Sequence, residues 1–555
     1  MQHQDSLNAY ILQSIKENWE LLALTDFNGA SYQYKDVARK ITKLHLLFKS
    51  CGVKPGDRVA LCGRNSAQWA IAFLGIITYG AVAVPILHEF KPDNVHHLVT
   101  HSEARLLFAD AGVWENIDGN SMPDLEGVLL IQDYSLLMSR SQTLSDARAH
   151  LNQYFGDAYP ERFTIDDLKV SAEKPDDLAL INYTSGSTGF SKGVMLTYGN
   201  LWSNIQYTID KLDFLHPGDG IVCMLPLAHM YGLVVEMLHP FVKGCHVNFL
   251  TRTPSPRIIM EAFAQVRPKL IVSVPLIIEK IIRTKVFPLL EKPMMKILLH
   301  VPFVDDHLLA KIKEKLTETF GGNLREIIIG GAAINKDVED FLRRIEFPFT
   351  VGYGMTECGP LISYAPWDMT RPGSCGRIVD RMEVKVDSPD PANVPGVISV
   401  RGGNVMKGYF KNQKATEEAL SDDGWMNTGD IGCVDADNFI YLRGRDKNMI
   451  LGPSGQNIYP EEIEQKLNNM PYVAESVVID DGGRLVALIY PDLDSTMKEK
   501  VDHSELEKIM ADNVAQLNKE LPGYSQVARF DLMSEEFEKT PKRSIKRYLY
   551  QRQNT

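Results

Sequence analysis

Apolar and polar positions alternate along the first 180 residues with two periods. Residues 34–51 repeat their apolar positions at helical spacing and stop before Gly52, whereas 58–61 form a short apolar run of strand length. Residues 67–80 are apolar throughout and long enough for a buried helix, 81–85 read as a strand, 96–102 as a helix and 104–109 as a strand. Such alternation predicts parallel sheet with crossover helices. The pattern resumes with strands at 178–184 and 194–197, a helix at 200–212, and strands at 220–225, 269–275, 324–329 and 348–351. From 371 to 443 the period shortens to two, with Gly and Pro turns, and predicts a small antiparallel β-barrel. The chain then offers helices at 461–470 and 504–521 and strands at 473–480 and 485–490. The expected fold class is α/β: a large N-terminal domain (1–444) of parallel α/β layers with a barrel subdomain near 371–443, a boundary at 445–448, and a small α+β C-terminal domain (449–555).

One stretch departs from this rhythm. Residues 287–320 open apolar (FPLLEKPMMKILLHVPF) and continue as a Lys-rich helix from 308. A core-packed element followed by a solvated helix is the plain reading. A lid over an apolar channel and a weak membrane-facing surface are the alternatives.

Composition narrows the function. The 555 residues suggest three or four domain-sized units. A net charge of −12 argues against nucleic-acid binding and against electrostatic docking on anionic lipid. Seven scattered cysteines without a CxxC pair give no zinc or redox signature and suit a reducing compartment. The polar N-terminus does not read as a signal peptide, and the longest apolar stretch, 70–85, is short for a membrane span and broken by Gly75 and Gly80. A cytoplasmic location is the expectation.

The candidate chemistry lies at strand ends. Between the strands at 178–184 and 194–197 the chain reads YTSGSTGFSKG, from Tyr183 to Gly193. Bare N–H groups, the hydroxyls of Thr184, Ser185, Ser187 and Thr188, the flexible Gly186 and Gly189, and the ammonium of Lys192 suit the oxygens of a polyphosphate. The same composition is also that of a surface linker. It is not a Walker loop, because the spacing from Gly186 is GxxGxxKG and the loop joins two strands. Gly330-Gly331-Ala332-Ala333 and Gly352-Tyr353-Gly354-Met355-Thr356-Glu357 also follow expected strands, where open parallel sheets bind ligands. Small residues at 330–333 admit a planar base, Tyr353 can stack on it, Thr356 offers a hydroxyl, and Glu357 is a hard ligand suited to Mg²⁺. Asp430, in Thr428-Gly429-Asp430, can accept from ribose hydroxyls, and Arg445 adds a cation.

Taken together and in this order, YTSGSTGFSKG, GYGMTE, NTGDIG, GRDKN and GQNIYPEEIE resemble the adenylate-forming (AMP-binding) superfamily over essentially the whole chain. The resemblance implies a large N-terminal domain, a small mobile C-terminal domain turning about Lys447, and a two-step reaction. A carboxylate attacks the α-phosphate of ATP, and a thiol, usually of coenzyme A, then displaces AMP. It further implies that the 184–188 hydroxyls and Lys192 hold the β- and γ-phosphates, Thr356 the α-phosphate and Glu357 the Mg²⁺. Gly331, Ala332 and Tyr353 would frame adenine, Asp430 and Arg445 fix ribose, and His229 stand beside the carboxylate. The loop 455–459 would line the thiol's approach.

No acidic residue lies within PLAHMYG (226–232) to pair with an amine, and the expected acyl wall at 229–235, 272–276 and 330–333 is mostly apolar or small. With the apolar-then-basic stretch 287–320 this is similar to the long-chain fatty acyl-CoA synthetase branch. The expected partners are a medium- to long-chain fatty acid, ATP and coenzyme A. A peripheral membrane contact and a homodimer stay open. A fatty acyl-AMP ligase or acyl-carrier-protein synthetase is the neighbouring alternative, and a non-catalytic homologue a further one. The last is suggested by Ser544, which stands where the family's TPTGKIKR pattern carries a lysine. Lys542, in Thr540-Pro-Lys-Arg-Ser-Ile-Lys-Arg547, is the expected substitute.

Overall fold

Short apolar runs and a buried helix build the large sheet. Ala67–Tyr79 is buried on almost every side, because strands and helices close over it. The Ser66 hydroxyl accepts the Trp69 amide at its start, and Gly80 ends it with a φ of +89°, a conformation that costs glycine little. Arg58–Cys62, Val82–Ile86, Leu106–Ala109 and Gly127–Leu130 pair in parallel, and Leu178–Thr184 runs parallel to Val82–Ile86. Antiparallel strands finish both ends of this eight-stranded sheet: Leu136–Ser139 at one, Lys192–Thr197 and then Gly408–Tyr409 at the other.

A second sheet has the order Gly220–Cys223, His246–Phe249, Leu22–Asp26, Ser31–Gln33, and a third, all parallel, the order Leu270–Ser273, Glu326–Ile329, Phe349–Val351. The antiparallel period expected for 371–443 is present. Met382–Asp387, Gly396–Gly402, Met426–Val434 and Ile440–Arg445 form a four-stranded sheet, and a bridge from Arg377 to Phe439 joins it to the sheet of Tyr353–Gly354, Leu361–Tyr364 and Arg377–Ile378. A smaller unit follows, with Val473–Asp480 and Leu485–Pro491 antiparallel and Val527–Leu532 parallel beside them, packed against Pro460–Leu467 and His503–Glu520. It touches the larger part where Gln465 donates to the Ile334 carbonyl (2.9 Å) and Arg283 donates to Asn469 (2.9 Å).

This computed structural model describes residues 6–184, 191–252, 255–290, 292–298, 304–452, 456–540 and 544–551. Among them no helix is long and apolar enough to cross a membrane. The Lys-rich helix begins earlier than its pattern suggests, at Val304, with Asp305 and Asp306 in its first turn, where the helix dipole favours anions. Leu7–Glu17, a helix with no expected counterpart, buries Leu7, Tyr10, Ile11 and Ile15.

Candidate active site

Leu178–Thr184 and Lys192–Thr197 form the two arms of a hairpin, with Thr184 opposite Lys192. The glycine- and hydroxyl-rich stretch therefore joins two paired strands, as expected. Its tip, with Ser185, Gly186, Ser187, Thr188 and Gly189, lies outside the described residues. A helix, Tyr198–Lys211, leaves the second arm through a capping box: the Thr197 hydroxyl accepts the Asn200 amide (3.2 Å) and the Asn200 side chain accepts the Thr197 amide (2.9 Å).

That helix organises two distant stretches. Asn200 donates to the carbonyls of Gly403 (2.9 Å) and Val405 (2.8 Å). One turn on, the fully buried Asn204 donates to the Cys358 carbonyl (3.1 Å) and accepts the Leu361 amide (3.0 Å). Buried amide side chains must find such partners. The 356–361 turn is tight as well. A Cβ on Gly354 would stand 2.2 Å from the Pro360 carbonyl oxygen, so this position takes no side chain.

Thr356 and Glu357 are buried in that turn. The Glu357 carbonyl accepts the Met406 amide (2.8 Å), and its carboxylate accepts the Tyr409 hydroxyl (Oε1, 2.9 Å). The Lys192 ammonium lies 4.8 Å from the centroid of the Tyr409 ring. Burial and the Glu357 charge push the Tyr409 phenol well above its ordinary range, so it stays protonated and donates.

Asp430 forms the other side. It is 5% exposed, accepts the Tyr353 hydroxyl (Oδ2, 2.6 Å) and pairs with Arg445 Nε (Oδ1, 2.7 Å), its cross-strand neighbour. Gly429, at φ +68°, makes the turn that brings Asp430 back onto the Thr428 hydroxyl. Burial raises the Asp430 carboxyl above its usual value; Arg445 and Tyr353 pull it down, and Glu357 adds to the rise. The two carboxylates thus feel each other. Lys447 stands by both sides. Its surroundings and the Arg445 and Lys192 charges lower its ammonium, while Asp430 and Glu461 raise it.

Beside Ser273 and Gly330, part of the expected acyl wall meets at Tyr231. Its hydroxyl donates to the Ile328 carbonyl (3.0 Å), and a Cβ on Gly330 would lie 3.0 Å from its ring. Gly331, at φ +86°, Ala332 and Ala333 form an exposed turn beyond Gly330. Gly352 donates its amide to Ile329 (2.9 Å) and Met355 is half-buried. His229 is half-buried and accepts the Tyr231 amide at Nδ1 (3.4 Å).

Sequence reasoning passed over three residues: Asn204, Tyr409 and Glu236. The spacing of Asn200 and Asn204 on one helical face was the available signal for the first. For Tyr409 there was none, because its partners are remote in sequence. Glu236 sits in a π-helical segment, Gly232–Leu238, where it accepts the amides of Met224 (3.2 Å) and Leu225 (2.8 Å). Burial lifts its carboxyl to about 8. Near the C-terminus the Thr540 amide donates to the Ser544 carbonyl (2.8 Å). Lys542 lies outside the described residues.

Among the described residues, no group of three or more His, Cys, Asp or Glu side chains could hold a metal ion by itself. A single buried carboxylate, Glu357, fits the manner in which Mg²⁺ binds, through one or two carboxylates, phosphate oxygens and water.

Parallel layers whose strand ends carry this array define an AMP-binding fold, and the sequence agrees. The pattern described as AMP-binding enzyme matches residues 13–410, and that of the AMP-binding enzyme C-terminal domain matches 447–553, so the chain belongs to the AMP-binding enzyme family. It is 28% identical to 4-coumarate:CoA ligase 1 of Petunia hybrida over 494 residues, covering 85% of this chain and 81% of that protein. It is 29% identical to the long-chain-fatty-acid–CoA ligase FadD15 of Mycobacterium bovis over 478 residues, covering 80% and 74%. In fold it resembles ATP-bound MatB from Rhodopseudomonas palustris, with a TM-score of 0.76, 23% identity and 99% and 98% of the two chains covered. It likewise resembles AMP-bound o-succinylbenzoate coenzyme A synthetase from Bacillus subtilis, with a TM-score of 0.74, 21% identity and 97% of each chain covered.

Proposed function

We propose that this enzyme activates a medium- to long-chain fatty acid with ATP and transfers the acyl group to coenzyme A, releasing AMP and pyrophosphate. The observation that carries this reading is the convergence of the Lys192–Tyr409–Glu357 and Tyr353–Asp430–Arg445 groups within electrostatic reach of each other. A carboxylate must approach an anionic phosphate, so the chemistry needs charge neutralisation and alignment, not a protein nucleophile. In the first step a carboxylate oxygen attacks the α-phosphorus, the bond to the β-phosphate bridge breaks, and pyrophosphate leaves with the electron pair. In the second, the sulfur of coenzyme A attacks the acyl carbon, the bond to AMP breaks, and the thiol proton passes to solvent.

In this reading Lys192 and the hydroxyls of 184–188 hold the β- and γ-phosphates, and Thr356 holds the α-phosphate. Asp430 and Arg445 hold the ribose, with Tyr353 and the 331–333 turn beside adenine. Glu357 would hold Mg²⁺, which when bound supplies positive charge to the phosphates. His229 stands near the acid, Lys542 is assigned the role that Ser544 cannot fill, and the 445–448 stretch serves as the hinge.

The choice of acid rests on the apolar surroundings of Tyr231 and on the likeness to a long-chain ligase. Each buried methylene is worth about 0.8 kcal/mol, enough for pocket depth to select chain length. A second reading, a planar aromatic acid, is favoured by the likeness to 4-coumarate ligases and by the ring of Tyr231 lying close to Gly330. Pyrophosphate release should be measured over saturated fatty acids of graded length and over 4-coumarate, with and without coenzyme A. Release that peaks with a long chain and yields acyl-CoA supports the first reading, and a peak with coumarate supports the second. Accumulated adenylate that free coenzyme A does not consume points to a carrier protein as acceptor.

A further inference from the structure

We infer that Tyr409 is a positioning residue of the adenylation step, holding the Glu357 carboxylate for the metal–nucleotide and keeping Lys192 beside it until phosphate arrives. The inference rests on the reading that this site binds Mg²⁺ and ATP.

Tyr409 is placed for this by its backbone. Its short strand, Gly408–Tyr409, pairs with the second arm of the glycine-rich hairpin, Tyr409 opposite Val194, and the Phe410 amide donates to the Gly193 carbonyl (2.7 Å). Just upstream the Met406 amide holds the Glu357 carbonyl (2.8 Å), and Asn200 holds the carbonyls of Gly403 and Val405. The stretch 403–410 is therefore stitched at once to the hairpin that carries Lys192 and to the turn that carries Glu357. Tyr409 is the side chain at the junction. It is 8% exposed, its hydroxyl donates to Glu357 Oε1, and its ring face meets the Lys192 ammonium.

The two contacts do different work. The hydroxyl fixes one carboxylate oxygen and so selects one orientation of the Glu357 side chain before any ligand enters. The ring attracts the ammonium through its negative face, without the charge cancellation of a direct ion pair. Lys192 is thus stored near the turn. Partners that orient a ligating carboxylate typically account for about 10- to 100-fold in metal affinity.

The test is equilibrium binding of a fluorescent ATP analogue at graded Mg²⁺, comparing the natural protein with Tyr409→Phe and Tyr409→Leu. Thermal melting and circular dichroism serve as controls of folding. Tyr409→Phe keeps the ring and should raise the half-saturating Mg²⁺ by about 10-fold or more, with metal-free nucleotide binding unchanged. Tyr409→Leu should show the same Mg²⁺ shift and also weaken metal-free nucleotide binding, because Lys192 loses its resting place. In both, the KM for the acid should stay within about twofold of the natural protein. A half-saturating Mg²⁺ within twofold in a folded Tyr409→Phe overturns the inference and leaves the adenylation reading standing. If the natural protein shows no Mg²⁺-dependent nucleotide binding, both fall. Should Tyr409→Leu fail to fold, Tyr409→Phe alone decides.

Discussion

Asp430 and Glu357 are both buried carboxylates at the same site, yet their surroundings use them differently. Asp430 is committed: one oxygen accepts Tyr353, the other pairs with Arg445, and the pair is set by facing strands. Glu357 shares its tyrosine with a cation, taking the hydroxyl while Lys192 takes the ring face. The first arrangement suits a rigid acceptor for neutral hydroxyls, whose needs do not change during a reaction. The second suits charges that must re-pair when phosphate and metal enter. Preorganisation thus takes two forms here, a finished ion pair and a stored one.

Substitutions can break this contrast, and Lys192→Ala should break it most. Removing the stored cation should lower ATP–pyrophosphate exchange by about 10²–10³-fold, the usual scale for one electrostatic donor at a developing charge. An effect under threefold would show that the ring-bound lysine takes no part. Asp430→Ala should act on binding instead. Hydrogen bonds to a charged group contribute about 1.5–3 kcal/mol, so the KM for ATP should rise about 10- to 100-fold with kcat changing far less. Equal losses in kcat from both variants would erase the distinction between the two sides.

The pH profile sharpens it further. Burial already raises the Asp430 carboxyl, and Arg445 is the largest influence pulling it back. Arg445→Ala should therefore move the acidic limb of kcat/KM for ATP to higher pH, because the ionised acceptor survives only there. A limb that stays in place would mean that Asp430 ionisation does not govern nucleotide binding.

The smallest effect on catalysis is expected at Glu236, a carboxylate outside both groups. Its folded value of about 8 stands above the ordinary 4.5. The folded state therefore holds a proton that the unfolded chain has lost, and stability falls as pH rises between those values, by up to about 1.4 kcal/mol per pH unit. Glu236→Gln should flatten the melting temperature between pH 5 and 8 and leave pyrophosphate exchange within about twofold. A variant whose melting temperature still falls with the natural slope would remove Glu236 as the source.

Much of this was legible in the sequence where local pattern decides structure. The buried helix at Ala67–Tyr79, the strands flanking the glycine-rich stretch and the Gly429 turn before Asp430 all follow from apolar length, turn chemistry or a positive φ. The residues missed owe their meaning to remote contacts. Asn204 inside a helix looks neutral by propensity, and only its bonds to Cys358 and Leu361 explain it. Tyr409 gains its meaning only from Glu357 beside it. The helix Leu7–Glu17 hid behind its polar residues because Asn8 and Ser14 are buried and bonded to distant backbone, Asn8 to Ile77 and Ser14 to Phe241. Glu236 lies in a π-helical segment that no simple hydrophobic period announces.

The helix Tyr198–Lys211 also sets a clock for the newborn chain. Asn200 and its partner Val405 are 205 residues apart, roughly 10–40 s of synthesis at typical ribosomal speed. Until residues 403–405 emerge, Asn200 has only water for the bonds it will later make to their backbone. The large parallel sheet can gather its hydrophobic core in that interval, whereas the 403–410 stretch cannot dock. A ribosome that stalls before residue 400 would leave most of the large sheet beside a nucleotide site still open to solvent.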